Sequence, residues 1–156
     1  MQKKLGRNTV VLLGIGHTNA HVLRKWKMKP LENAELVCVS NFPISTYSGM
    51  LPGVLSGQYP AEKMEIDLVR LCAASGVRLI LDEVVGVDPL EQRLLFRNRP
   101  SLTYDALSIG VGSVPTLGDV EISDPSPLIS VKPMQTFLSR LRGRLQAFQG
   151  GGNPRV

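Results

Sequence analysis

Residues 10–21, Val10-Val11-Leu12-Leu13-Gly14-Ile15-Gly16-His17-Thr18-Asn19-Ala20-His21, constrain the fold of this chain more than any other segment. An apolar run long enough for one buried strand leads straight into Gly-x-Gly and then into helix-compatible sequence. Gly14 permits a sharp turn after the strand, and Gly16, lacking a Cβ, lets backbone approach a pyrophosphate closely. The unpaired N–H groups at the start of the following helix would face that anion. Thr18 and Asn19 fall in this first turn, where their N–H groups reach the same phosphates or their side chains cap the helix. The third glycine of the dinucleotide fingerprint is absent. Asn19 holds its place, followed by Ala20; since that glycine normally allows close helix–strand packing, the match to the fingerprint is partial. The ordinary alternative is a tight strand-to-helix turn with no ligand.

The rest of the chain reads as an α/β order. Residues 9–14 predict a first strand and 17–29 a helix stopped by Pro30, with Ala20, Leu23 and Trp26 on its apolar face. Residues 35–40 predict a second strand, parallel and adjacent to the first, as a βαβ unit requires. Residues 41–60, rich in Ser, Gly and Pro, predict a long irregular loop of the kind that usually carries function. A helix is expected over 62–75 with Gly76 as its C-cap, then a strand over 77–82. Strands at 83–88 and 92–98 would form a small antiparallel meander around Asp88-Pro89-Leu90-Glu91, and 103–109 another strand. Residues 116–132 read as a linker. Residues 133–149 read as an amphipathic helix with Met134, Phe137, Leu138, Leu141, Leu145 and Phe148 on one face, and 150–156 as a flexible tail.

Composition narrows the function classes. At 156 residues and 43% apolar content the chain is about one globular domain. No apolar run approaches the roughly 20 residues that span a bilayer, and the basic start (Lys3, Lys4, Arg7) leads into Gly-x-Gly rather than a cleavage site. Cys38 and Cys72 lie far apart in sequence, which predicts two core thiols in a reducing, cytoplasmic compartment, with peripheral membrane or mitochondrial placement open. The net charge of +5 gathers at the N-terminus, at Arg24-Lys25-Lys27-Lys29 and at Arg140-Arg142-Arg144. With few aromatics between these clusters there is no stacking platform, which argues against nucleic acid and for general attraction to anions and acidic surfaces. His17 and His21 share a helix face, but no third ligand stands nearby, so no metal site is expected. No nucleophile–base set is evident, and no catalytic residue is assigned.

Three segments together resemble the first, flavin-binding part of the pyridine nucleotide-disulfide oxidoreductase superfamily. The first is Gly14-Ile15-Gly16-His17. The most specific is Tyr47-Ser48-Gly49-Met50-Leu51-Pro52-Gly53 followed by Gly57-Gln58-Tyr59. The third is Tyr104-Asp105-Ala106-Leu107-Ser108-Ile109-Gly110-Val111-Gly112-Ser113-Val114-Pro115. The pattern is most similar to the type II NADH dehydrogenase-like branch, and within it to the flavoprotein module fused to selenide, water dikinase. The resemblance spans residues 8–156. It implies a Rossmann-like FAD-binding domain at 1–115, and FAD as cofactor with NAD(P)H as substrate of the intact enzyme. It also implies that the chain stops where an NAD(P)H domain would start.

The resemblance further distributes the site. Gly14, Ile15, Gly16, His17, Thr18 and Asn19 would line the pyrophosphate. The second strand should end in Asp or Glu for the ribose hydroxyls; here Ser40-Asn41 stand there, able to hydrogen-bond without a charge. Ser48, Gly49, Met50, Leu51 and Pro52 would lie beside the isoalloxazine ring, Gly49 allowing close approach and Met50 with Leu51 forming an apolar wall. Val84 and Val85 would contact the adenine, and Gly110, Val111 and Gly112 would pass close to the cofactor. The expected function is the flavin half of an NAD(P)H-oxidising flavoprotein with an acceptor such as a quinone. The alternatives are an inactive fragment that acts as an interaction module, self-associating through 134–148 or joining a separate enzyme domain, and a site for another adenine nucleotide.

Overall fold

The computed structural model describes residues 6–114, 116, 118, 121, 123 and 128–149, and the side chains of these up to residue 147. The tail at 150–156, the Phe148 side chain, Lys3, Lys4, Pro115 and part of the 116–132 linker lie outside the described residues. The chain divides into two compact units after Gly112.

The first unit is built on a four-stranded sheet in the order β5-β2-β1-β9. Its strands are β1 (Asn8–Leu13), β2 (Ala34–Ser40), β5 (Arg78–Leu81) and β9 (Ala106–Ile109), all parallel. In register, Leu13 pairs with Val39 on one side and with Ile109 on the other. Alternation within β1 explains why it is apolar throughout. Val11 and Leu13 join Val37, Val39 and Ile80 in a core closed by Leu94, Phe96 and Tyr104. Leu12 points to the opposite face, into a cluster with Leu23, Leu36, Cys38, Leu68 and Cys72. A strand buried on both faces reads as a continuous hydrophobic run, as here.

The crossover helix α1 (His17–Met28) ends where Lys29 donates its N–H to the Lys25 carbonyl, directly before Pro30. Lys25 and Lys27 in its last turn complement the negative end of the dipole. The segment expected as one loop at 41–60 contains β3 (Ile44–Thr46), a 3₁₀ turn at Ser48–Met50 and a short helix α2 (Leu51–Leu55) with Pro52 in its first turn. The helix expected over 62–75 is shorter. A 3₁₀ turn at Ala61–Met64 is followed by β4 (Glu65–Asp67), which pairs antiparallel with β3, and only then by α3 (Leu68–Ala74). Asp67 sets that start, because its Oδ1 accepts the Arg70 N–H at 2.9 Å. At the far end the N–H groups of Gly76 and Val77 return to the Ala73 and Cys72 carbonyls, a Schellman stop with Gly76 at φ +62°.

The expected meander has three strands: β6 (Val84–Asp88), β7 (Arg93–Phe96) and β8 (Leu102–Thr103). The strand expected over 103–109 is therefore two strands in different sheets. Tyr104 and Asp105 turn the chain between them, the Asp105 N–H donating to the Thr9 carbonyl and its carboxylate accepting the Thr9 N–H. The second unit carries α4 (Met134–Gln149), in which Met134 and Phe137 are buried, Leu138 and Leu141 half-buried and Leu145 exposed. No helix among the described residues is long and apolar enough to cross a membrane.

Candidate functional site

The sheet order reverses direction at β1, which has β2 on one side and β9 on the other. Open α/β sheets bind ligands outside the carboxyl ends of the strands at such a switch point. Both strands that meet here end in a glycine turn, and the two turns touch. Gly14 has φ +75°, and a Cβ on it would lie 2.7 Å from the Gly110 carbonyl oxygen. A Cβ on Gly16 would lie 3.2 Å from the same oxygen. The Gly14 N–H donates to Val39 and the Gly110 N–H to Leu13, so each turn is pinned to the neighbouring strand. The backbone-to-backbone packing of these turns is thus enough to require glycine at position 14.

Asn19 does the work left by the missing third glycine. It is 1% exposed. Its Nδ2 donates to the Gly14 carbonyl at 2.7 Å, and its Oδ1 accepts the Ser108 hydroxyl at 2.8 Å. A Cβ on Gly110 would fall 2.7 Å from Asn19 Nδ2. The side chain does not cap the helix: it ties β1, α1 and β9 together from within. Its neighbour Ile15 is also buried, and the Ile15 carbonyl accepts the Ser45 hydroxyl at 2.6 Å, which brings β3 to the same turn.

The N-terminus of α1 is left open. Gly16 is its N-cap in extended conformation, no side chain caps it, and its first turn holds no acidic residue. The exposed N–H groups and positive dipole end there are suited to an anion. Thr18 and His17 are exposed, and the His17 ring stacks on Tyr47 with centroids 5.3 Å apart and planes inclined by 26°.

The remaining expected site residues are placed unevenly. Ser40 spends its hydroxyl on its own turn, donating to the Phe42 carbonyl and accepting the Phe42 N–H, while Asn41 is exposed beside it. Ser48, Gly49 and Met50 form the 3₁₀ turn, and Leu51 with Pro52 opens α2. The space beside Gly49 is taken by Tyr47, whose Cζ would lie 2.9 Å from an added Cβ. Val84 packs against the core under the meander, whereas Val85 is exposed on β6. Val111 and Gly112 are exposed after β9, Gly112 at φ +74°.

Ser45 carries no signal in the sequence, and Tyr47 and Ser108 stand in the quoted motifs without a site role, although each binds a predicted site residue. A buried serine within a three-residue strand carries no periodic signal, so nothing in the sequence marks Ser45. Cys38 and Cys72 meet between β2 and α3, both buried and free. Hydrogen bonding to Cys72, and then burial, push the Cys38 thiol far up, while the same interaction lowers Cys72 against the effect of its burial. Along α1 a shallow groove is lined by His17, Thr18, His21, Val22 and Lys25. Among the described residues no three His, Cys, Asp or Glu side chains gather to hold a metal.

This architecture is an α/β Rossmann-like fold, and solved oxidoreductases share it. NDH2 from Plasmodium falciparum in complex with RYL-552 matches 96% of this chain with a TM-score of 0.73 at 16% identity. The sulfide:quinone oxidoreductase of Aquifex aeolicus matches 69% with a TM-score of 0.61 at 19% identity. NADH:rubredoxin oxidoreductase from Clostridium acetobutylicum matches 77% with a TM-score of 0.57 at 15% identity. The chain spans 31%, 25% and 30% of those chains respectively. No protein-family model matches the chain. No curated protein matches it either.

Proposed function

We propose that this chain binds FAD as the flavin-holding part of an NAD(P)H-oxidising flavoprotein, most similar to the type II NADH dehydrogenase-like branch of the pyridine nucleotide-disulfide oxidoreductases. The observation that carries this reading is the pair of interlocked glycine turns at the switch point, beside an uncapped helix N-terminus. The solved structures with the same fold add support, since they include an NDH2, a sulfide:quinone oxidoreductase and an NADH:rubredoxin oxidoreductase.

In this reading Gly16, His17 and Thr18 present their backbone N–H groups to the pyrophosphate. Gly14 and Asn19 shape the turn that aims them. With the Ser40 hydroxyl engaged in its own turn, the Asn41 amide is the polar group for the ribose, and Val84 and Val85 serve the adenine. The segment Ser48–Pro52 and the residues Gly110–Gly112 border the flavin-ring end. When bound, the flavin would supply the chemistry of accepting a hydride from nicotinamide and passing electrons to an acceptor such as a quinone. That transfer asks the protein for positioning and electronics rather than for an acid–base side chain, in keeping with the lack of a nucleophile–base set in the sequence. A separate NAD(P)H-binding domain or a fused enzyme domain completes the enzyme in this reading.

The visible spectrum of the purified chain after incubation with FAD and gel filtration tests it. Retained flavin absorbance supports the reading. A colourless chain that remains folded contradicts it.

A further inference from the structure

We infer that the stack of His17 on Tyr47 is a clasp that holds the Ser48–Met50 turn against the start of α1, and that Tyr47 is thereby a positioning residue for the flavin-ring end of the site. This rests on the FAD reading for its second half only. Tyr47 is held on both sides of its backbone: its N–H donates to the carbonyl of buried Met64 at 2.7 Å, and its carbonyl accepts the Met50 N–H at 3.2 Å. The side chain works from this fixed base. One part of the ring stacks on His17, the first residue of α1, at 5.3 Å. The far end lies over Gly49, with Cζ and Oη at 2.9 and 3.0 Å from where a Cβ would be. The ring therefore touches both the phosphate-facing helix start and the turn expected to meet the flavin ring. Two positions earlier, Ser45 in β3 makes a second tie, its hydroxyl donating to the Ile15 carbonyl. Strand β3 and the residue that follows it thus bring two side chains, two positions apart, to Ile15 and His17.

The prediction separates the two ends of the cofactor. ADP reaches only the pyrophosphate and adenosine positions; FAD also needs the 48–52 segment. Tyr47→Ala is expected to weaken FAD binding about tenfold, the scale of one lost aromatic pair, and to leave ADP binding unchanged. Tyr47→Phe keeps the ring and restores FAD binding. Gly49→Ala, which drives the ring off its seat, reproduces Tyr47→Ala. Titrations of the full chain with FAD and with ADP provide the readout, and amide hydrogen exchange of residues 48–52 in the free chain provides a second. Equal loss of FAD and ADP in Tyr47→Ala, or no loss of FAD, overturns the positioning role. If the wild-type chain takes up no FAD, the FAD reading falls and exchange alone decides the clasp. Faster exchange at 48–52 in Tyr47→Ala but not in Tyr47→Phe supports it, and unchanged exchange overturns it.

Discussion

The Ser108 hydroxyl donates a 2.8 Å hydrogen bond to Asn19 Oδ1 across 89 positions of sequence, and the same amide donates to the Gly14 carbonyl at 2.7 Å. One side chain thereby links the ends of β1 and β9 to the first turn of α1. Asn19→Ala leaves the Ser108 hydroxyl and the Gly14 carbonyl without these partners in a largely buried place. We expect it to cost about 1–3 kcal/mol of stability in urea denaturation. Ser108→Ala is expected to cost about 1 kcal/mol, and the double variant less than the sum, since both remove one interaction.

The two glycines of the first turn separate fold from binding. Gly14→Ala combines a positive φ with a Cβ 2.7 Å from backbone, so its stability should fall by more than about 1 kcal/mol and its melting temperature should drop clearly. Gly16 has an ordinary φ of −75° and a looser 3.2 Å approach. Gly16→Ala should melt close to the wild type. Equal destabilisation by both would contradict the packing assigned to Gly14.

Cys38 and Cys72 are 0% and 1% exposed. An aromatic disulfide reagent should leave both unmodified in the folded chain and modify both after denaturation. Rapid labelling of either thiol under native conditions would show that α3 opens away from β2.

Acid should weaken the meander. The Arg97 guanidinium, bonded to both Glu83 carboxylate oxygens, holds that carboxyl below its usual range. The Glu91 N–H, and then Arg93, do the same for Asp88. A carboxyl lowered by folding stabilises above its unfolded pKa of about 4 and loses that contribution as pH falls through the lowered value. The urea midpoint should therefore decline between about pH 5 and pH 2, and decline less in Glu83→Gln. Both pairs lie at the surface, so added salt should shrink the difference.

The parts of the fold legible in the sequence are those with a strong local signal. Val10–Leu13 ahead of Gly14, and Pro30 behind α1, fix the first strand and the crossover helix. Ile44–Thr46 and Glu65–Asp67 give no such signal, because three residues are too few for alternation to register and their pairing is made across the 18 positions from 47 to 64. Apolar spacing over Met64, Leu68, Leu71 and Cys72 reads as one helix and hides the break that Asp67 makes as the N-cap of α3. At the site, Gly14, Gly16 and Gly110 were legible as glycines, but their reason was not: the sequence suggests a ligand, whereas the fold itself requires glycine at position 14. Asn19 shows the same limit. A polar residue in a first helical turn reads as a cap or a ligand, and only the arrival of Ser108 turns it inward.

The central claim is a FAD site at the Gly14–Gly16 turn. Fluorescence titration of FAD into the full wild-type chain and into Gly16→Val, with the fold of each verified by circular dichroism, tests it most directly. Saturable binding to the wild type, lost in a folded Gly16→Val, is the result predicted. Equal binding by both chains, or none by a folded wild type, would contradict it.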